Sequence, residues 1–319
     1  MNSSLGKVLI AAPVHQVLVD GLKNLGYQCI TEEQITQTSA SGHIAGCVGV
    51  ITSTRLQLDS TLLDAAPLLQ WIGRMGSGME VIDLEHAAKR GIVCFSSPEG
   101  NCNAVGEHAV GMLLALIRHI SWSQSELIDG VWRRDENRGI ELEGKTVGII
   151  GFGHTGAAFA RKLAGFDVRL LAYDKYHPGG IPPHITNCNG LNEIFAEADI
   201  VSFHVPLLPE TVSYFDAEFI SKMAKPFILV NTSRGQVVNT MALDLGISSG
   251  KVMGACLDVF EQEPVTKADS ALRTVIERLV RLPNIIVTPH IAGYTFEALY
   301  KMSQTLLDKI TLFNLQQEK

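Results

Sequence analysis

Features typical of secreted, membrane-bound and nucleic-acid-binding proteins are scarce in this sequence of 319 residues. Its six cysteines are scattered and no two have CxxC spacing, so we expect reduced thiols, a cytoplasmic protein and no metal site. The longest apolar run, residues 109–117, is too short to cross a bilayer, and the N-terminus does not resemble a signal peptide. A net charge of -7 leaves no basic excess for a nucleic-acid backbone.

Short apolar segments alternate with segments of helical periodicity, which is typical of α/β proteins with parallel sheets. The predicted strands are residues 8–12, 47–52, 69–74, 93–96, 146–150, 170–174, 200–204, 227–231, 254–257 and 285–287. The predicted helices are residues 14–25, 60–66, 105–119, 157–164 and 295–315. A turn-rich segment at 97–101 ends the first block, and the last helix could pack back on that block. We therefore predict two doubly wound parallel-sheet domains, the first of them discontinuous.

The strongest motif is a glycine-rich turn between a predicted strand and a predicted helix. Gly151, Gly153 and Gly156 have the GxGxxG spacing. The first glycine allows a tight turn, the second lets the backbone approach a pyrophosphate, and the third lets the helix pack on the strand. The start of the helix, with His154 and Thr155, would offer N–H groups to the phosphates. The turn therefore predicts a dinucleotide site.

An acidic residue stands where the second strand of such a unit ends. The apolar run 170–174 closes with Asp174. A carboxylate at this position accepts hydrogen bonds from the ribose hydroxyls of NAD and repels the additional phosphate of NADP. We therefore expect NAD as the cofactor. The alternatives are a purely structural turn and a methyltransferase that uses a similar loop for its adenosyl cofactor.

Three further polar segments follow predicted strands, and open α/β sheets bind ligands at those carboxyl ends. Arg234 comes just after the strand at 227–231, where it could bind a carboxylate or form a surface ion pair. The acidic turn 258–264 could face a ligand or only solvent. His290 follows the strand at 285–287 and is either structural or, if paired with a carboxylate, an acid or base near neutral pH.

Several blocks together resemble the D-isomer-specific 2-hydroxyacid dehydrogenase family along nearly the whole chain. In order they are GRMGSGMEVID (73–83), AVGEH (104–108), GFGHTG (151–156), NTSRG (231–235), and DVFEQEP (258–264) with PH (289–290). The resemblance implies a discontinuous flavodoxin-like substrate domain at 1–100 and 294–319, and an inserted Rossmann NAD-binding domain at 101–293. It also implies a short form similar to phosphoglycerate dehydrogenase, which we expect to lack a regulatory C-terminal domain.

The resemblance implies a catalytic set of Arg234, Glu263 and His290, with the backbone N–H groups of Ser77 and Gly78 holding the substrate carboxylate. Redox chemistry at carbon-2 of a hydroxy acid also moves a proton at the attached oxygen, and His290 suits that task. A neighbouring Glu263 would raise the pKa of the histidine and orient its ring. Arg234 cannot lose its charge and would bind the substrate carboxylate.

Further contacts are implied for cofactor, substrate and partner. Expected cofactor contacts are Val205, Pro206, Thr232, Ser233, Asp258 and Gly293. Expected substrate contacts are Asn101 and Arg55. Phosphate-using members commonly have an arginine at the position of Ser53, and Arg55 lies two positions further along the chain. Family members are usually homodimers, and the contact would lie in the polar stretch 121–143, which contains Trp132.

The residues of the predicted site do not select one substrate within the family. Tyr294 could line the substrate pocket or pack at a hinge, and Glu263 argues against a formate-type dehydrogenase, which has glutamine there. A corepressor-like, NAD-sensing binding protein is the alternative from another class. We expect an NAD-dependent enzyme for a small 2-hydroxy or 2-keto acid of the glycerate, hydroxypyruvate, lactate or 3-phosphoglycerate type, with neither nucleic acid nor membrane as partner.

Overall fold

A computed structural model describes residues 5–32, 34–176 and 180–317 of the chain. It divides into two compact units, the first comprising Met1–Cys102 with Tyr294–Lys319 and the second comprising Asn103–Gly293. Within the described ranges, no helix is both long enough and apolar enough to cross a membrane.

Unit 1 is built on a parallel sheet. Its described strands are β1 (Gly6–Ile10), β2 (Tyr27–Thr31), β3 (Cys47–Thr52), β4 (Trp71–Arg74) and β5 (Val93–Ser96). Its helices are α1 (Gln16–Asn24), α2 (Ala40–Ile44), α3 (Ser60–Asp64), α4 (Leu84–Lys89), the start of α5 (Pro98–Ile117), and α12 (Phe296–Gln317). The strands lie in the order β2-β1-β3-β4-β5, and every pairing between them is parallel.

The last helix, α12, packs on the first unit, as its lack of a following strand predicts. The backbone N–H of His15 donates to Ser303 Oγ at 2.9 Å, and the hydroxyl of Tyr27 donates to Asn314 Oδ1 at 2.7 Å. A Cβ at Gly21 on α1 would overlap with the side chain of Leu307, so α1 and α12 meet at close range. The chain therefore returns to its first unit after completing the second.

Unit 2 is built on a longer parallel sheet. Its described strands are β6 (Thr146–Ile150), β7 (Arg169–Tyr173), β8 (Thr186–Asn187), β9 (Ile200–Phe203), β10 (Phe227–Asn231), β11 (Val252–Leu257) and β12 (Ile285–Val287). Its helices are α6 (Ile120–Ile128), α7 (His154–Leu163), α8 (Asn192–Glu197), α9 (Ala217–Lys222), α10 (Thr240–Ser248) and α11 (Ser270–Leu279), with short 3-10 helices at Gly235–Val237 and Val265–Lys267. The strand order is β12-β11-β10-β9-β6-β7-β8.

The core of unit 2 occupies both faces of its sheet. Along β10, Ile228 and Val230 belong to one hydrophobic cluster, while Leu229 belongs to another. Because successive side chains of a strand point to opposite faces, this alternation shows a sheet that is covered on both sides. The prediction of two doubly wound parallel-sheet domains is confirmed.

The predicted turn at 97–101 is wrong, because helix α5 already begins at Pro98. Proline is favoured in the first turn of a helix, where its missing N–H is not needed. Gly100 also fits there, since a Cβ at this position would press against the backbone of Met302. A turn is therefore the wrong prediction from Pro98 and Gly100, because the proline starts the helix and the glycine allows close packing. The elements not predicted from the sequence are strands β2 and β8 and helices α2, α4, α6, α8, α9, α10 and α11.

Candidate active site

The glycine turn joins β6 to α7 in unit 2. Gly151 has φ +89°, and a Cβ there would lie 2.5 Å from the carbonyl oxygen of His204. A Cβ at Gly156 would overlap with the carbonyl oxygen of Gly151, whereas a Cβ at Gly153 would meet nothing within 4 Å. The first and third glycines are therefore required by packing, and the second faces open space where a pyrophosphate can approach. The residues present fit a dinucleotide.

The N-terminus of α7 adds hydrogen-bond donors to this turn. Gly153 is its N-cap residue and has no side chain to cap the helix. The first N–H groups of a helix lack partners within the helix, and the helix dipole is positive at this end. His154 and Thr155 therefore begin the helix where an anionic group binds favourably.

Asp174 lies directly after β7 and is tied to the glycine turn. Its Oδ2 accepts a hydrogen bond from the backbone N–H of Phe152 at 2.7 Å, and its Oδ1 accepts one from the backbone N–H of Tyr176 at 2.9 Å. The half-buried carboxylate is thus oriented beside the turn. This is the position from which an acidic residue binds the ribose of NAD in Rossmann units.

His204, which the sequence did not indicate, supports the turn from the end of β9. Its side chain is buried, its Nε2 lies 2.8 Å from Ser202 Oγ, and its ring packs on Phe159 at 5.2 Å. Burial lowers the pKa of His204 to about 3, so the ring is neutral at physiological pH. Val205 and Pro206 follow directly and lie half-buried and exposed, respectively.

Glu263 and His290 form a hydrogen-bonded pair in unit 2. The distance between His290 Nδ1 and Glu263 Oε2 is 2.6 Å, and Glu263 Oε1 accepts from the backbone N–H of Phe260 at 2.9 Å. The hydrogen bond to Glu263 raises the pKa of His290 despite the opposing effect of burial. Burial favours a higher pKa for Glu263 and is the largest single effect. The hydrogen bonds from His290 and from the backbone N–H of Phe260, together with the charges of His290 and Arg234, outweigh it and lower that pKa. The result is an ionised carboxylate beside a histidine that protonates readily.

A buried carboxylate, Asp258, fixes the loop that carries His290. Asp258 is 1% exposed, and its Oδ1 accepts from Thr288 Oγ1 at 2.5 Å and from the N–H of Ile291 at 2.8 Å. Its Oδ2 accepts from the N–H of Ala292 at 2.8 Å. The N–H of His290 also donates to the carbonyl oxygen of Asp258 at 2.8 Å. These bonds hold His290 at φ 57°, a left-handed conformation that few residues other than glycine adopt.

His108 on α5 extends this network. Its Nε2 lies 2.9 Å from Thr288 Oγ1 and 3.7 Å from Asp258 Oδ1. The three residues are separated by 30 to 180 positions in the sequence. Neither His108 nor Thr288 has a role that the sequence predicts, because such contacts between distant segments leave no local pattern.

Arg234 follows β10 in a tightly bonded turn. Its Nη1 donates to the carbonyl oxygen of Ser233 at 2.7 Å, and Asn231 Nδ2 donates to the carbonyl oxygen of Arg234 at 3.0 Å.

The turn that carries Arg234 packs against the acidic turn that carries Glu263, because a Cβ at Gly235 would overlap with the carbonyl oxygen of Phe260. The guanidinium charge lowers the pKa of both Glu263 and His290. Unit 2 therefore brings the three predicted catalytic residues into one cluster.

The remaining predicted cofactor residues lie at the same strand ends. Thr232 is buried, and its Oγ1 has no hydrogen-bond partner among the described residues. The hydroxyl of Ser233 donates to Asn231 Oδ1 at 2.7 Å, and Gly293 is the last residue of unit 2. An orphaned buried hydroxyl such as that of Thr232 suits contact with a bound group.

The predicted substrate residues belong to unit 1. Ser77 is exposed and Gly78 is half-buried, in the turn that follows β4. Ser97 Oγ accepts from the N–H of Gly76 at 2.9 Å and so fixes the base of that turn. Arg55 is exposed beyond β3, whereas Asn101 lies on α5 with its Oδ1 buried and without a partner among the described residues.

This fold and this cluster define a dinucleotide-binding α/β protein with an arginine and a histidine–glutamate pair at the strand ends of its nucleotide unit. Residues 110–292 match the profile of the NAD-binding domain of the D-isomer specific 2-hydroxyacid dehydrogenases. The chain belongs to this family. The same match confirms the prediction of NAD as the cofactor.

Relatives with known names are similar along most of the chain. A hydroxypyruvate reductase from Thermotoga maritima is 33% identical over 88% of this chain and 89% of its own length. A D-3-phosphoglycerate dehydrogenase from Archaeoglobus fulgidus is 31% identical over 95% of this chain but 56% of its own, so the chain spans about half the length of such relatives. The structure of a D-lactate dehydrogenase from Aquifex aeolicus, complexed with NAD and lactic acid, has a TM-score of 0.83 at 26% identity and covers 97% of this chain and 96% of its own.

Proposed function

We propose that the protein is an NAD-dependent dehydrogenase that interconverts a small D-2-hydroxy acid and its 2-keto acid. The observation that carries the proposal is the 2.6 Å hydrogen bond between His290 Nδ1 and Glu263 Oε2, with Arg234 nearby. A relative named hydroxypyruvate reductase and others named D-3-phosphoglycerate dehydrogenase support this substrate class. Unit 2 would be the NAD-binding domain and unit 1 the substrate domain.

His290 is the proton carrier in this proposal. Because Nδ1 is bound to Glu263, Nε2 is the nitrogen that meets the substrate oxygen. In hydroxy-acid oxidation Nε2 takes the hydroxyl proton, and in keto-acid reduction the imidazolium returns it to the carbonyl oxygen. Glu263 stabilises the imidazolium and fixes the tautomer. Bound nicotinamide supplies the two-electron redox chemistry at carbon-2.

Other residues would bind the substrate carboxylate and the cofactor. Arg234 would bind the substrate carboxylate through its planar guanidinium and polarise the neighbouring carbonyl. The N–H groups of Ser77 and Gly78 would hold the same carboxylate, while Asn101 and Arg55 would contact the rest of the substrate. The cofactor would be held by Gly151, Gly153, His154, Thr155, Gly156, Asp174, Val205, Pro206, Thr232, Ser233, Asp258 and Gly293.

The direct test measures NADH consumption by the purified protein with glyoxylate, hydroxypyruvate, pyruvate and phosphohydroxypyruvate, with NADPH in place of NADH as the control. Turnover of at least one keto acid with NADH is expected. A protein that binds NADH but reduces none of these acids would contradict the proposed activity and favour a sensing role.

The hydroxyl of Thr288 is expected to position His290 through Asp258. In Thr288→Val, Asp258 loses one hydrogen-bond donor and His108 loses its partner, so kcat should fall about 10-fold or more while NADH affinity changes little. Thr288→Ser keeps the hydroxyl and should restore most of kcat. Thr274→Val, which removes an exposed helix hydroxyl, is the control. Equal kcat in the valine and serine variants would contradict this role.

A cytoplasmic homodimer is also part of the proposal. Unit 2 exposes apolar side chains around α6, among them Ile128 at 77% and Trp132 at 82% exposure. Exposed apolar side chains grouped in this way mark association surfaces. Trp132→Glu is expected to shift the protein from dimer to monomer in sedimentation analysis, whereas Tyr176→Glu, also exposed, should leave the dimer intact. A monomeric wild-type protein would refute the assembly.

A further inference from the structure

Lys175, the residue directly after Asp174, is bound by a carboxylate from another loop. Its Nζ lies 2.6 Å from Glu210 Oε1, and the hydroxyl of Tyr176 donates to the same oxygen. Both hydrogen bonds, that from Lys175 first, lower the pKa of Glu210, which is therefore ionised at neutral pH. The loop after β7 and the loop after β9 are thus joined through one carboxylate.

Glu210 is held in place by its neighbour in sequence. Thr211 is buried, and its Oγ1 accepts from the N–H of Leu208 at 2.7 Å and donates to the carbonyl oxygen of Pro206 at 2.7 Å. The N–H of Thr211 donates to the carbonyl oxygen of Leu208 at 2.9 Å. These bonds close the loop into a compact turn, so the carboxylate of Glu210 is presented from a fixed backbone.

The position of Lys175 matters for the choice of dinucleotide. NADP differs from NAD by one phosphate on the adenosine ribose, and Rossmann proteins that accept it supply a cation near the end of the second strand. A lysine ammonium serves as such a cation for phosphate. Lys175 stands one residue beyond Asp174, but its ammonium is neutralised by Glu210.

We propose that Glu210 determines cofactor specificity by withholding Lys175 from the 2′-phosphate of NADP, in addition to any repulsion by Asp174. This inference rests on the proposed NAD-dependent function. Glu210 and Lys175 are positioning residues in it, because they act on the choice of cofactor rather than on the reacting atoms.

The test measures the dissociation constants of NADH and NADPH for the full-length protein by fluorescence. In Glu210→Gln the released lysine should tighten NADPH binding about 5- to 10-fold, with a change of less than about 2-fold for NADH. Glu218→Gln is the matched control, because Glu218 pairs with Lys222 at the same 2.6 Å on the exposed face of α9. It should change neither constant. Asp174→Ala, which removes the repelling charge, serves as the positive reference for tighter NADPH binding.

The double variant Glu210→Gln with Lys175→Met separates release of the lysine from simple loss of an acidic charge. The gain in NADPH binding should disappear in this variant. An unchanged NADPH constant in Glu210→Gln, or a gain that persists in the double variant, would overturn the inference. Because the readout is binding, a protein that binds NADH but lacks turnover would contradict the proposed activity without affecting this test.

Discussion

The His290→Asn variant is expected to lose about 10³-fold in kcat for keto-acid reduction while it binds NADH with nearly unchanged affinity. The imidazole is the proton donor in the proposed reaction, and an amide cannot replace it near neutral pH. Asparagine is suited to this test because it tolerates the left-handed backbone that His290 adopts at φ 57°. The loss should therefore report missing chemistry rather than a misfolded loop.

Single-turnover kinetics measure the chemical step, and NADH titration of the same preparation measures cofactor affinity, so the two effects of the substitution are separated. His43→Ala removes an exposed histidine from α2 in unit 1 and should retain full activity. If His290→Asn instead lost NADH affinity and kept its kcat, His290 would be a cofactor ligand or a structural residue, and the proposed mechanism would fail.

Local patterns explain why much of the fold was predictable. The strands at 47–52, 93–96, 227–231 and 285–287 were predicted with the bounds that the structure has, because short apolar runs between turns are a strong signal. Helix α5 shows the limit of this reasoning. Proline and glycine, as at Pro98 and Gly100, occur both in turns and at the start of a closely packed helix. Only the contact between Gly100 and Met302 shows that this segment is a helix start.

In the candidate site, too, local features were predictable from the sequence and contacts between distant segments were not. The glycine turn was predictable, since spacing within six residues encodes its geometry. The approach of Glu263 to His290 was expected from family resemblance alone, since the residues are 27 positions apart. The link from His108 through Thr288 to Asp258, and the buried ring of His204, depend on packing between distant segments. Sequence periodicity carries no information on such contacts.

Glu263→Gln is expected to move the pH dependence of keto-acid reduction to lower pH. The hydrogen bond to ionised Glu263 raises the pKa of His290, so the imidazolium that reduction requires persists to higher pH. Activity is present below that pKa and is lost as the pH rises through it. A neutral glutamine removes the stabilising charge, the pKa of His290 falls, and the loss begins at lower pH.

The oxidation direction provides an internal check, because it needs the neutral ring. There the rising limb of the profile should also move to lower pH in Glu263→Gln, so oxidation persists under mildly acidic conditions where the wild-type protein has lost it. Glu277→Gln, which breaks an exposed ion pair with Arg273 on α11, should leave both profiles unchanged. If the pH profiles stay in place while kcat falls, Glu263 only orients the ring. If the profiles of reduction and of oxidation both move to lower pH, Glu263 is the residue that sets the proton affinity of His290.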